Sequence, residues 1–359
     1  MGSPSSRPVL GVVGATGAVG RVIRSCLPMF RHHWAEVRVS AEDAEVGTTL
    51  TVAGEELVVQ RLDEDFFDGV DVALFDLPPA VTEQWVECAV ARGVVVIDNS
   101  TIYRGREGVP LVVAEVNPDE VANRPHGIIA NPGATVMTVI DALGVLHRGW
   151  GLVALVVTTF QAASGLGRQG IVRLYDEVEA VAGHRDLAQR PGDIRRLIED
   201  EVGEESCFPA PLALNVIPFV GGPGEDGWTT EEAKLRDETR KILGLPDLKV
   251  MATCVRVPVI SAHSVSVHAT FSRPLDVERA RRALVEAPMV VLMDHPDLEF
   301  PTPVDVVGAD PRFIGRLRQS PDFPRSLDFF VSGDNLRKGA GLNMLQTAEL
   351  VLRDLGYQA

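Results

Sequence analysis

The chain has 359 residues, with 34 Lys+Arg against 50 Asp+Glu and a formal charge of −16, and is 45% hydrophobic, 23% charged and 6% aromatic. That composition excludes a disordered or collagenous chain, and the length predicts two folded domains. An acidic balance without a Lys/Arg cluster argues against nucleic acid or an anionic membrane surface as partner, since both select basic faces.

Residues 1–7 are small and polar and read as a disordered tail without an apolar leader segment, and no run of ~18 apolar residues follows, so a cytoplasmic protein is expected. Residues 8–13 form an apolar strand that runs into Gly14-Ala15-Thr16-Gly17-Ala18-Val19-Gly20 and then a helix through Cys26. Glycines at those positions let the backbone turn tightly and leave a pyrophosphate at a helix N-terminus. Gly14, Thr16, Gly17, Ala18 and Val19 are therefore the candidate dinucleotide residues.

A second strand, 36–40, ends in Ser40-Ala41-Glu42-Asp43. An acid there suits a ribose 2′-hydroxyl and would repel a 2′-phosphate by about 4 kcal/mol at ~4 Å and an effective dielectric constant of ~20, so Glu42 favours NAD over NADP. Strand-like runs at 71–77, 94–97 and 127–130, with a helical pattern at 81–91, complete an alternation that predicts a doubly wound parallel sheet of Rossmann type.

From about residue 150 the texture changes to longer alternating strands, 152–159 and 253–271, around a charged helical block at 171–201. This reads as a second, α+β domain. Thr229 and Glu232 have capping-box spacing, which places Glu231 and Lys234 in a first helical turn. Seven residues separate Arg256 from His263, so on one strand they share a pocket only if the strand bends, with Pro258 and Ser261-Ala262 as bending points. A closing helix at 343–355 is expected to return to the first domain, giving domains of 8–132 and 133–342 with 343–359 as the returning segment. Cys26, Cys88, Cys207 and Cys254 lie far apart with no CxxC pair, so neither a zinc site nor a disulfide framework is expected.

Six segments carry a resemblance that covers nearly the whole chain: Gly14 to Gly20; Asp98-Asn99-Ser100-Thr101 with Arg104; 109–117; 215–218; Arg256-Val257-Pro258-Val259 with His263-Ser264; and Asp334 to Ala340. Together they resemble the aspartate-semialdehyde dehydrogenase family. The resemblance implies a nucleotide domain plus an α+β catalytic and dimerisation domain, performing NADPH-dependent reductive dephosphorylation of aspartyl-β-phosphate through a cysteine thioester, in a dimer or tetramer. It also implies a role for each of several residues: Arg104 for a phosphate or other anion, Gln161 beside the nucleophile, Glu231 and Lys234 for the amino and anionic groups of an amino-acid-like substrate, Arg256 for its carboxylate, His263 for proton transfer, and Asn335 for the cofactor.

The nucleophile motif departs from the family. Where Asn-Pro-Asn-Cys is expected, the chain reads Asn131-Pro132-Gly133-Ala134-Thr135, and a methyl group cannot attack an acyl phosphate. Where Ser-Ala-Gly-Gly is expected beside the dinucleotide, it reads Asp76-Leu77-Pro78-Pro79, and proline has no N–H to offer. The residues for an anionic substrate remain. The expectation is a divergent NAD(P)-dependent oxidoreductase with direct hydride transfer; the alternatives are a non-catalytic ligand-binding or regulatory paralogue, and cofactor-free acid/base chemistry.

Overall fold

A computed structural model describes residues 7–41, 43–295 and 298–357. Glu42 and all of the expected tail but Arg7 lie outside the described residues. In chain order the strands are β1 Val9–Val13, β2 Glu36–Ser40, β3 Thr49–Val52, β4 Glu55–Gln60, β5 Val72–Phe75, β6 Val95–Asp98, β7 Ile128–Ala130, β8 Leu152–Gln161, β9 Lys249–Arg256, β10 His263–Phe271, β11 Val290–Leu292, β12 Arg312–Arg318 and β13 Ser326–Gly333. The helices are α1 Ala18–Cys26, α2 Pro79–Ala91, α3 Ala134–Trp150, α4 Gly167–Val181, α5 Asp193–Val202, α6 Thr230–Leu243, α7 Val277–Val285, α8 Pro303–Val306 and α9 Leu342–Asp354.

Two compact units result. The first comprises Met1–Ile140, Asp237–Pro246 and Leu336–Ala359; the second comprises Asp141–Arg236 and Asp247–Asn335. The first unit is built on a seven-stranded sheet of order β3-β4-β2-β1-β5-β6-β7, parallel except for the β3–β4 hairpin. Its central strands are apolar throughout because a parallel sheet is covered on both faces; Leu10, Val13, Leu74, Phe75 and Ile97 are fully buried. The chain leaves β1 toward β2 on one side and returns to β5 on the other. The ends of β1 and β5 therefore form the switch point at which such sheets bind ligands. α9 packs against α1, β5 and β6 within this unit.

The second unit carries a six-stranded mixed sheet of order β11-β12-β13-β10-β8-β9. Residues 253–271, expected as one bent strand, are two strands that do not neighbour each other: β8 lies between β9 and β10, and the intervening loop passes through Pro258 and Ala262, the latter at φ +72°. The helical block expected at 171–201 is likewise two helices, α4 and α5, separated where Gly183 and Gly192 take positive φ and Pro191 cannot continue a helix. The strand expected at 71–77 ends at Phe75, because Pro79 opens α2.

Candidate active site

In the first unit the glycine turn follows β1 at the switch point. Gly14 has φ +87°, and a Cβ there would stand 2.2 Å from the carbonyl oxygen of Asp76; at Gly20 it would stand 2.2 Å from that of Gly14. Only glycine permits either approach. Gly17 is the N-cap of α1 and no side chain caps the helix, whose first turn, including Ala18 and Val19, holds no acid. That arrangement fits a pyrophosphate at a helix N-terminus.

The opposite wall fits less well. Pro78 and Pro79 offer no N–H, and Asp76 Oδ2 lies 3.5 Å from where a Gly17 Cβ would stand. Asn99 Nδ2 donates to Asp76 Oδ1 at 2.9 Å, yet burial raises the Asp76 carboxyl above its usual range, with that hydrogen bond opposing the shift. Thr16 Oγ1 donates to Glu45 Oε2 at 2.6 Å, so an acid the sequence reading overlooked joins the turn.

Arg104 lies in the same unit and is engaged by protein groups. Its Nη2 donates to the carbonyl of Asn99 at 2.7 Å, and its Nη1 to Glu238 Oε1 at 3.3 Å. The other Glu238 oxygen accepts from the backbone N–H of Gly133 at 2.7 Å, at the start of α3. Ala134, the first residue of α3, presents a methyl group.

In the second unit the sheet register explains why residues distant in sequence meet. Gln161 of β8 is the register partner of Arg256 of β9, and Ser264 of β10 is that of Phe160. Arg256, Gln161 and His263 thus stand in a row across three strands, and all three are buried. Arg256 Nη1 donates to the carbonyl of Ala162 at 2.6 Å, while its backbone pairs with Ile217 of the 215–218 segment. Gln161 Nε2 donates to Thr159 Oγ1 at 3.3 Å.

Gly165 gives this row its opening. A Cβ at Gly165 would stand 2.7 Å from Arg256 Nη1 and 3.4 Å from His263 Nε2, so both groups flank one small open face. The N–H of Ala162 donates to His263 Nδ1 at 3.1 Å, which assigns the ring hydrogen of the neutral imidazole to Nε2. Burial first, then the charges of Arg256 and Arg312, holds this imidazole down to about 3. Burial also pulls the Arg256 guanidinium below its ordinary range, with the Glu231 charge opposing the shift.

The capping box is present: the N–H of Thr229 donates to Glu232 Oε2 at 2.8 Å, and that of Glu232 to Thr229 Oγ1 at 3.3 Å. The other Glu232 oxygen accepts from the N–H of Cys254 at 3.0 Å, fastening α6 to β9. Lys234 and Glu231 form a half-exposed pair at 3.8 Å. Asn335 Oδ1 accepts from Ser164 Oγ at 2.9 Å and from the N–H of Ala262 at 3.1 Å, so Asn335 braces the loop that leads into His263. Cys254 is fully buried and its thiol is pushed up to about 12 by desolvation, far from a reactive thiolate. Sequence reasoning missed Glu238 and Gly165.

These features define the class: a parallel-sheet unit with a glycine turn at its switch point, and a second unit with a buried arginine–histidine pair. Residues 9–124 match the semialdehyde dehydrogenase NAD binding domain and residues 143–338 the semialdehyde dehydrogenase dimerisation domain. An aspartate-semialdehyde dehydrogenase of Streptomyces akiyoshiensis is 41% identical over 348 residues, spanning 96% of this chain and 99% of that protein. The crystal structure of aspartate semialdehyde dehydrogenase II from Vibrio cholerae superposes with a TM-score of 0.88 at 33% identity, over 97% of this chain and 99% of the other. The same enzyme complexed with ASA gives 0.88 over 98% and 99%. The chain belongs to the aspartate-semialdehyde dehydrogenase family, a family of oxidoreductases, and its first unit is an NAD(P)-binding domain.

Proposed function

We propose that the protein is an NAD(P)-dependent oxidoreductase of a small, carboxylate-bearing, amino-acid-like carbonyl compound, and that it works without a cysteine thioester. The observation that carries this reading is the pairing of Arg256 and His263 around Gly165. A planar guanidinium suits a carboxylate, and an Nε2–H beside it suits a carbonyl oxygen. In this reading Gly14, Thr16, Gly17, Ala18 and Val19 hold the dinucleotide, with Glu42 favouring NAD and Glu45 adding to that preference. The nicotinamide, when bound, supplies or accepts the hydride.

His263 then acts as a neutral donor. Its Nε2–H stabilises negative charge developing on the carbonyl oxygen, which takes its proton from solvent water after hydride addition, while the Ala162 N–H on Nδ1 holds the tautomer. Glu231 and Lys234 would take the amino and remaining anionic groups, with Gln161 orienting the carbonyl. The absence of sulfur at residue 134, with Cys254 buried and protonated, supports direct transfer over a covalent route. Titration with NADH and NADPH at millimolar levels, followed by turnover of short-chain aldehydes bearing a carboxylate, tests this: binding and a turnover lost in His263→Ala are expected, and no binding of either nucleotide would end it.

One observation favours a second reading, a non-catalytic ligand-binding or regulatory paralogue. The dinucleotide wall at Asp76, Pro78 and Pro79 is acidic and short of N–H donors. Retained binding of a dicarboxylate without any nucleotide binding would select it.

A homodimer goes with either reading. Met251, Val156, His268 and Asp328 are register partners along one row of the second sheet, with Met251 and Val156 exposed. The exposed Met251 and Val156 of this row suit burial against a second copy. No helix of the described residues is long and apolar enough to cross a membrane, and a cytoplasmic location belongs to the same proposal.

A further inference from the structure

The row of buried side chains in the second sheet extends beyond His263. Gln161 of β8 is the register partner of Arg256 of β9, and Gly333 of β13 that of His263 of β10. On β12, Arg312 comes one residue before Phe313, the partner of Ser332, so it falls opposite Gly333. Register partners direct their side chains to the same face of a sheet. Arg256 and Arg312 therefore stand on opposite sides of His263, with only a glycine between the ring and Arg312.

Gly333 makes this approach possible. A Cβ there would stand 2.7 Å from Arg312 Cδ, 3.3 Å from its Nε and 3.4 Å from its Nη1, so the Arg312 side chain runs across the gap that the glycine leaves, over the strand that pairs with β10. Its backbone is tied by an N–H that donates to the Met289 carbonyl at 2.8 Å. Arg312 is 1% exposed, and a guanidinium stays charged at such depth because it does not lose its proton in proteins.

We propose that Arg312 is a positioning residue for His263: a fixed charge that, with Arg256 on the other side, keeps the imidazole neutral, so that the ring serves as an Nε2–H donor and not as a proton shuttle. A second ring proton would place a cation between two permanent cations in a buried row, where like charges repel far more than at a surface. The charged groups that act on the ring are Arg256 from β9 and Arg312 from β12, and after burial both oppose that proton. Of the acids near the row, Asp310 lies two residues before Arg312, Asp334 follows Gly333 and accepts from the N–H of Gly308 at 2.8 Å, and the Glu231 charge acts on Arg256.

The inference deepens the role of His263 in the proposed function and rests on that reading, but its test needs neither nucleotide nor turnover. The full chain, carrying 15N-labelled histidine with His263 assigned through His263→Gln, is titrated by NMR from pH 8 to about 4.5, a range that extends below the ordinary histidine value. The natural chain is expected to keep a neutral, Nε2-protonated ring throughout. In Arg312→Met, which keeps an unbranched apolar stem and removes the charge, the ring is expected to begin taking up its second proton within the range, its midpoint raised by about one pH unit. Arg312→Lys, which keeps a positive charge, is expected to stay close to the natural chain. Should Arg312→Met fold poorly, Gly333→Ala displaces the same guanidinium from the row and is expected to raise the midpoint as well. An unchanged ring in the folded variants, or an equal rise in Arg312→Met and Arg312→Lys, would overturn the proposal. A failure of the proposed oxidoreductase activity would appear separately, in the nucleotide titration.

Discussion

His263 illustrates how a side chain's chemistry is set by what surrounds it. The Ala162 N–H on Nδ1 and the Arg256 charge both act against a second ring proton, and desolvation acts in the same direction. A base whose folded value is lowered from 6.5 to about 3 contributes stability above pH 6.5 that is lost as pH falls toward 3. Turnover is therefore expected to show no histidine limb between pH 6 and 8, and thermal melts of His263→Gln should lose part of the decline in stability below pH 6.5; a limb near 6.5 that disappears in that variant would contradict the neutral-donor role. Arg256 stood out as a candidate carboxylate clamp through the resemblance, and its planar fork suits that group. Glu238 did not, because its partners Gly133 and Arg104 are more than a hundred residues away and nothing local marks a carboxylate that will meet them.

Among the elements, those with local signals were readable and those governed by tertiary contacts were not. The strand, glycine turn and helix of residues 9–26 follow from an apolar run and three glycines. The cap of α6 follows from Thr229 and Glu232. Replacing Thr229 by Ala removes one partner of that box and is expected to cost about 1 kcal/mol, measured by chemical denaturation; no change would mean that Glu232, through Cys254, holds the helix start alone. By contrast α3 is buried on nearly every side, so no apolar stripe announces a helix. The hairpin of β3 and β4 turns on Ala53-Gly54, both at positive φ, a turn the sequence advertises only weakly. The 253–271 region shows alternation on both sides of a loop that periodicity alone merges, and only the register with β8 reveals two separate strands meeting at Arg256 and His263.

At the scale of the molecule, the order of motifs along the chain was enough to reveal the family, because the segments that form the glycine turn, the arginine–histidine pair and the 334–340 stretch keep both chemistry and sequence order. Assembly was legible only through the resemblance; the structure adds the exposed Met251 and Val156 of the second sheet. A dimer is expected by light scattering, and Val156→Asp should shift it toward monomer; an unchanged mass would place the interface elsewhere.

With Ala134 where a sulfur is expected, residue 134 cannot form the thioester on which acyl-phosphate reduction rests. Loss of a covalent nucleophile costs on the order of 10⁶ in rate in the best-measured case, a serine protease. The most direct measurement is the rate at which the purified protein, supplied with NADH or NADPH, converts β-aspartyl phosphate to its semialdehyde. No turnover above the uncatalysed background is expected, and conversion at an ordinary enzymatic rate would overturn the proposed route without a thioester.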